Sequence, residues 1–272
     1  MSHFFRFPLR VLAAFESPMI RLDNVVGYCV MDVGYKLMTP AEKKDLALVP
    51  YRRRAWERGC ERVCVSSSGD TADQRLQKEY EAVQAACGTD AQATVTIRSD
   101  WFWSCLESLR GKDRPLPVSY REFSVLCAIL SKLGDKELES CTWQEIQCRA
   151  LGYTTQAAMK AGLPTRQDGA KPLSRQAIRT TLDALERCRF FARFPVGNGT
   201  RSWLTYFSFK LSGKELEVEA TAAWVQRRRR GRVNWDKSKR ERQAKLWEQR
   251  KHLSDTWTER ARERMRRKAS PP

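Results

Sequence analysis

Residues 172–207, PLSRQAIRTTLDALERCRFFARFPVGNGTRSWLTY, switch from a helical apolar period to strict alternation within a few positions. A 3.6-residue period suits a helix with one buried stripe, and a two-residue period suits a strand with one buried face. Ser174 offers an N-cap oxygen. Ile178, Leu182 and Leu185 then recur at i, i+4 and i+7, and the helix is expected to end near Arg189. Beyond it, FFARFPV and TRSWLTYFSF flank Gly197-Asn198-Gly199, with Trp203, Thr205, Phe207 and Phe209 alternating with Leu204, Tyr206 and Ser208. Alternation about such a turn reads as a β-hairpin.

The residues just upstream are equally directive. Ser119-Tyr120-Arg121-Glu122 is a capping box opening a helix to about Leu133, with Phe123, Leu126, Cys127 and Leu130 on one face and Gly134 as its stop. Thr142-Trp143-Gln144-Glu145 is a second capping box for a short helix ended by Gly152. Residues 153–172 form a polar excursion containing one helical turn, TQAAMKAG.

Helix, short helix, helix, hairpin: this order resembles the winged helix-turn-helix family over roughly residues 116–211. The resemblance implies that SRQAIRTTLDALERCRFF is a recognition helix for the DNA major groove. It implies that ARFPVGNGTRSWLTYFSF is a wing touching the adjacent backbone or minor groove. One departure stands out, since the 20-odd residues between second and third helix exceed the usual 3–4-residue turn. At 100° per residue, Gln176, Arg179, Thr180, Asp183 and Arg187 lie opposite the apolar stripe and Arg175 at its margin. Arg175, Gln176, Arg179 and Thr180 are therefore the expected base contacts, with donors suited to guanine and adenine edges. Arg187, Arg193 and Arg201 are the expected backbone contacts. The competing reading is a solvated face, with Asp183 and Glu186 pairing Arg179 and Arg187 at helical spacing.

The charge agrees with a polyanionic partner. The chain carries 50 Lys and Arg against 32 Asp and Glu, a net charge of +18 over 272 residues. Residues 226–272 hold 18 of those bases and six acids, a net +12. Within this tail, Arg227, Arg228, Arg229, Arg230 and Arg232 are too concentrated for a core and are expected on phosphates. The tail is helix-compatible after Asn234. Leu246, Leu253, Trp257, Ala261 and Met265 give it a narrow apolar stripe, for which docking on a protein partner or self-association is the alternative use. Interspersed acids disfavour a membrane surface. No apolar run reaches the length of a membrane span or a secretory leader.

Residues 1–66 are ambiguous: LRVLAAF and VVGYCVMDVGY suit either strands or buried helix, and Arg52-Arg53-Arg54 reads as a solvated turn. SSSGDTAD (66–73) is a polar connection, QRLQKEYEAVQAAC a helix, and ATVTI (93–97) a strand. SDWFWSCLESLR is a helix capped by Ser99 or Asp100, its Trp101-Phe102-Trp103 cluster expected in a core. GKDRPLP (111–117) marks a domain boundary. Nine cysteines occur without a CxxC pair, and the two histidines lie far from them. Zinc is thus not expected, and scattered free thiols suit a cytoplasmic protein. No P-loop, GxGxxG, HExxH or GxSxG is present. Asp23 and Asp32 are the carboxylates considered for a metal-dependent nuclease.

These readings converge on an α+β, mostly helical chain. A mixed α/β region spans 1–115, a winged helix-turn-helix domain 116–212 and a basic helical tail 213–272. The expected function is non-enzymatic, cofactor-free, sequence-specific binding of double-stranded DNA, as a plasmid or phage replication initiator. A transcription regulator and a nucleic-acid-binding subunit of a ribonucleoprotein or mobile-element complex are the alternatives.

Overall fold

A computed structural model describes residues 4–15, 17–33, 39–44, 50–63, 71–87, 93–110, 118–166, 168–196 and 204–269. The fold is α+β, about 71% helical with small antiparallel sheets. Residues 1–217 form one compact unit and 218–272 a second.

The first unit opens with strand β1 (Phe4–Pro8), which pairs antiparallel with β2 (Thr94–Arg98), Phe5 facing Ile97 and Phe7 facing Val95. These four side chains are buried, as period two demands of a sheet with one covered face. Helices α1 (Val11–Ala14), α2 (Pro18–Met31), α3 (Pro40–Lys44), α4 (Pro50–Val63) and α5 (Ala72–Cys87) lie between them in sequence. Both ambiguous apolar runs thus resolve mostly as helix. The arginines 52–54 belong to α4 rather than to a turn. Gly27 lets α2 and α5 approach closely, because a Cβ there would lie 2.4 Å from the Glu79 Cβ. Helix α6 (Ser99–Arg110) starts at Ser99 itself, so Ser99 is not an outlying cap. Its Phe102 and Trp103 are buried and meet Phe5 edge-on.

Helix α7 (Tyr120–Leu133) is the spine of the unit, with nine of its fourteen residues buried. Its capping box forms: the Glu122 carboxylate accepts from the Ser119 backbone N–H at 2.7 Å and from the Ser119 hydroxyl. Gly134, at φ 55°, ends it by donating its N–H to the Leu130 carbonyl at 2.9 Å. Strand β3 (Glu139–Thr142) follows, then α8 (Trp143–Ala150), whose capping box at Thr142 and Glu145 also forms. The excursion contains α9 (Gln156–Gly162) and a 3-10 turn at Leu163–Thr165. Helix α10 (Arg175–Arg187) leads into β4 (Ala192–Val196) and β5 (Leu204–Ser208), which pair antiparallel. The sheet order is β3-β5-β4. The Gly-Asn-Gly turn, Arg201 and Trp203 lie outside the described residues. Tyr206 and Ser208 are buried together with Phe207, so β5 does not keep the expected alternation. As the central strand, it has a neighbour on each edge.

One apolar cluster runs from Phe5 and Val26 through Leu106 and Leu126 to Leu182 and Phe207. The expected boundary near residue 115 therefore falls inside a shared core, while 111–117 itself lies outside the described residues. Buried Cys29, Cys105, Cys127 and Cys141 belong to that cluster. Burial pushes Cys105 and Cys141 up to about 12, the mark of thiols acting as small hydrophobes.

A buried charge knot ties the excursion down. Asp168 accepts from Arg166 Nε at 2.9 Å and is paired with both Arg166 and Arg21, whose side chains are 5% and 4% exposed. Arg21 also donates to the Leu12 carbonyl at 2.7 Å and to the Tyr120 hydroxyl at 2.9 Å. Arg166 donates to the Leu151 carbonyl at 3.0 Å. The Arg166 hydrogen bond, above all, lowers the Asp168 pKa to about 2.

Asp168→Asn should strand two buried guanidinium groups and destabilise the first unit by about 3–5 kcal/mol, read from the urea midpoint. The folded pKa lies below the unfolded value of about 3.9. Stability from Asp168 is therefore complete above that value and fades as pH falls through about 2. The wild-type midpoint should fall over that window more steeply than that of the Asn variant.

Candidate nucleic-acid interface

Helix α10 starts where the structure holds it from two sides. The Ser174 hydroxyl accepts from the Ala177 N–H at 3.1 Å. One residue earlier, the Leu173 carbonyl accepts from Gln147 Nε2 of α8 at 2.6 Å. Ile178, Thr181, Leu182 and Leu185 are buried, which turns the cationic side outward. Arg175, Gln176, Arg179, Thr180 and Arg187 are all exposed. The first turn of α10 contains no acid, unlike α7 and α8, whose Glu122 and Glu145 occupy theirs. An N-terminus with partial positive charge and cationic side chains is unfavourable alone and is relieved by an anion.

A groove of about 610 Å³ runs between α8, α10 and the β4–β5 pair. Arg175, Gln176 and Arg179 line it together with Trp143, Pro195 and Thr205. Thr180 and Arg187 do not line it; helical geometry places them further round the exposed side. Trp143 and Thr205 escaped the sequence reading as groove residues. Trp143 was read only as the second residue of a capping box, and Thr205 only as a strand position. Their convergence depends on how α8 meets the hairpin.

Arg193 differs from its expected role. It was read as a phosphate contact, yet its side chain is 19% exposed and ion-paired with Asp183 and with Glu186, the latter at 2.9 Å. The pairing of those acids with Arg179 and Arg187, which belonged to the competing solvated-face reading, is replaced by these contacts, the Arg193 side chain reaching from β4 to both acids. Arg179 and Arg187 have no ion pair among the described residues. By engaging two acids on the groove side of the helix, Arg193 reduces the negative field beside Arg179. Pro195 sits on β4, an edge strand, where its missing N–H costs no ladder hydrogen bond.

Arg189 is a further cation that the sequence reading treated only as a helix end. It is exposed and holds φ 59°, a left-handed conformation that favours glycine. Its N–H donates to the Glu186 carbonyl at 2.9 Å, closing α10 before β4.

Helix α11 (Gly213–Ala269), most of which belongs to the second unit, runs continuously through the arginine cluster, starting well before Asn234. Arg227, Arg228, Arg229, Arg230 and Arg232 are exposed. Of the apolar stripe, Leu246 is exposed; the side chains of Leu253, Trp257, Ala261 and Met265 lie outside the described residues. Among those described, no helix is long and apolar enough to cross a membrane, and no group of three or more His, Cys, Asp or Glu could hold a metal. Asp23 and Asp32 are nine residues apart along and just beyond α2, a rise of about 13 Å that separates rather than joins them.

A double-mutant cycle with Arg193→Ala and Glu186→Ala should return a coupling of about 1 kcal/mol in thermal or urea unfolding, modest because Glu186 is partly exposed. Comparison with known proteins gave no match to any family model, curated protein or solved structure.

Proposed function

We propose that this protein binds double-stranded DNA sequence-specifically through a winged helix-turn-helix unit, with α10 as the recognition helix and β4–β5 as the wing. The observation that carries this reading is the exposed Arg175–Gln176–Arg179 edge of α10 beside the hairpin, over one continuous groove. The order α7, β3, α8, α10, β4, β5 supports it, because β3 joins the hairpin in a single sheet and braces the wing. Arg175 and Arg179 supply paired donors for guanine, and Gln176 supplies a donor and an acceptor for adenine. Arg187 and the arginines of α11 supply sequence-independent phosphate contacts. Within this class we propose replication initiation at a plasmid or phage origin. Maintenance of a plasmid bearing the bound site supports that role, whereas repression of a reporter without origin support favours a transcription regulator.

Selecting bound fragments from the host's DNA identifies the site. On that site, Arg179→Ala should cost about 1–3 kcal/mol and relax preference at one base position. An equal loss on every duplex would remove Arg179 from base reading. Replacing Arg227, Arg228, Arg229 and Arg230 with Gln should weaken all duplexes alike. If all four contact phosphates, the slope of log K against log salt should flatten by roughly 3–4 units.

A further inference from the structure

Helix geometry puts three of the four tryptophans of α11 in register, with Trp247 one residue off their line. Trp224, Trp235, Leu246 and Trp257 follow one another at eleven-residue intervals. Eleven residues carry an α-helix through about three turns plus 20° and about 16 Å of rise. The helix is continuous through all four positions, so they follow one slowly winding line. Trp235 is 57% exposed and Leu246 55%.

The same interval repeats the cations. Arg228 and Arg229 follow Trp224 at the fourth and fifth positions, Lys239 and Arg240 follow Trp235, and Arg250 and Lys251 follow Leu246. Only Arg262 follows Trp257, because Ala261 takes the fourth position. The fourth position lies one turn along on the same face. The Arg228 guanidinium accordingly sits 4.8 Å from the Trp224 ring centre, and Lys239 Nζ 5.1 Å from that of Trp235. Each of these two units is an indole with a cation against it.

Several occupants are possible in principle, and the chemistry separates them. A second copy of the helix would bring like charges together beside the indoles, at Arg228 and Lys239. Duplex phosphates would use the cations but leave the indoles idle. A nucleic-acid strand with unpaired bases uses both, phosphates meeting the cations and base faces stacking on the rings. We propose that α11 is a binding site for single-stranded nucleic acid, with Trp224 and Trp235 as stacking platforms and the adjacent Arg228 and Lys239 as phosphate contacts. This assignment stands independently of base reading by α10.

The test uses the full-length protein and a labelled oligothymidylate beside a labelled duplex of equal length, with binding followed by anisotropy. Trp224→Ala combined with Trp235→Ala should weaken single-strand binding about tenfold or more. Phe at both positions should restore most of it, and duplex affinity should hold. Arg179→Ala should show the reverse selectivity, so failure of the α10 reading and failure of the α11 reading are distinguishable. Unchanged single-strand affinity in the double Ala variant would overturn the proposal, as would an equal loss on both ligands. Tryptophan-dependent binding to anionic phospholipid vesicles, without binding to the oligonucleotide, would also overturn it.

Discussion

Asp168 holds two guanidinium groups in the interior of the first unit, and the placement of the candidate interface depends on that contact. Through Arg21 it reaches α2, the Leu12 carbonyl of α1, and the Tyr120 hydroxyl at the start of α7. Through Arg166 it reaches the Leu151 carbonyl just past α8. Buried charges are tolerable when paired and hydrogen-bonded; here one carboxylate serves two guanidinium groups, and the Leu12 and Leu151 carbonyls and the Tyr120 hydroxyl accept from them as well. Its geometric effect is to hold 153–172 against the body, so the chain arrives at Ser174 in a defined direction.

This explains how a connection far longer than a tight turn can still present α10 as an ordered element. The excursion has its own small apolar cluster of Cys148, Leu151, Tyr153 and Met159. It also has a close approach at Gly162, where a Cβ would lie 2.4 Å from the Tyr153 hydroxyl oxygen. Gly152, at φ 86°, runs against the backbone nitrogen of Ala13, 2.6 Å from where its Cβ would be. The N-terminal residues are thus part of the scaffold that orients the third helix. This is the physical sense in which residues 1–217 are one unit.

Charge is arranged on two levels. Beside the groove, Arg193 engages Asp183 and Glu186 and lessens the negative field near Arg179. Along α11, charge is massed: four consecutive arginines are exposed at 227–230. The first arrangement sets the local field along the groove. The second supplies a long-range attraction that decays with added salt.

Much of the secondary structure followed from the residues alone. The capping boxes at Ser119 and Thr142, the Ser174 cap, and the Ile178–Leu182–Leu185 stripe specify their helices through bonds and periods only a few residues long. Hence the exposure of Arg175, Gln176, Arg179, Thr180 and Arg187 was legible without coordinates. The partners of Arg193 were not, because they depend on how the chain returns from α10 into β4. Nor was the Arg21–Asp168 contact, which joins residues 147 positions apart. The groove residues Trp143 and Thr205 are a third case. Local sequence determined which elements form and which side of each is apolar, since those preferences act over one or two turns. Only the tertiary structure decided which charges meet and which surfaces share a groove, since those depend on long-range packing that no short-range pattern encodes.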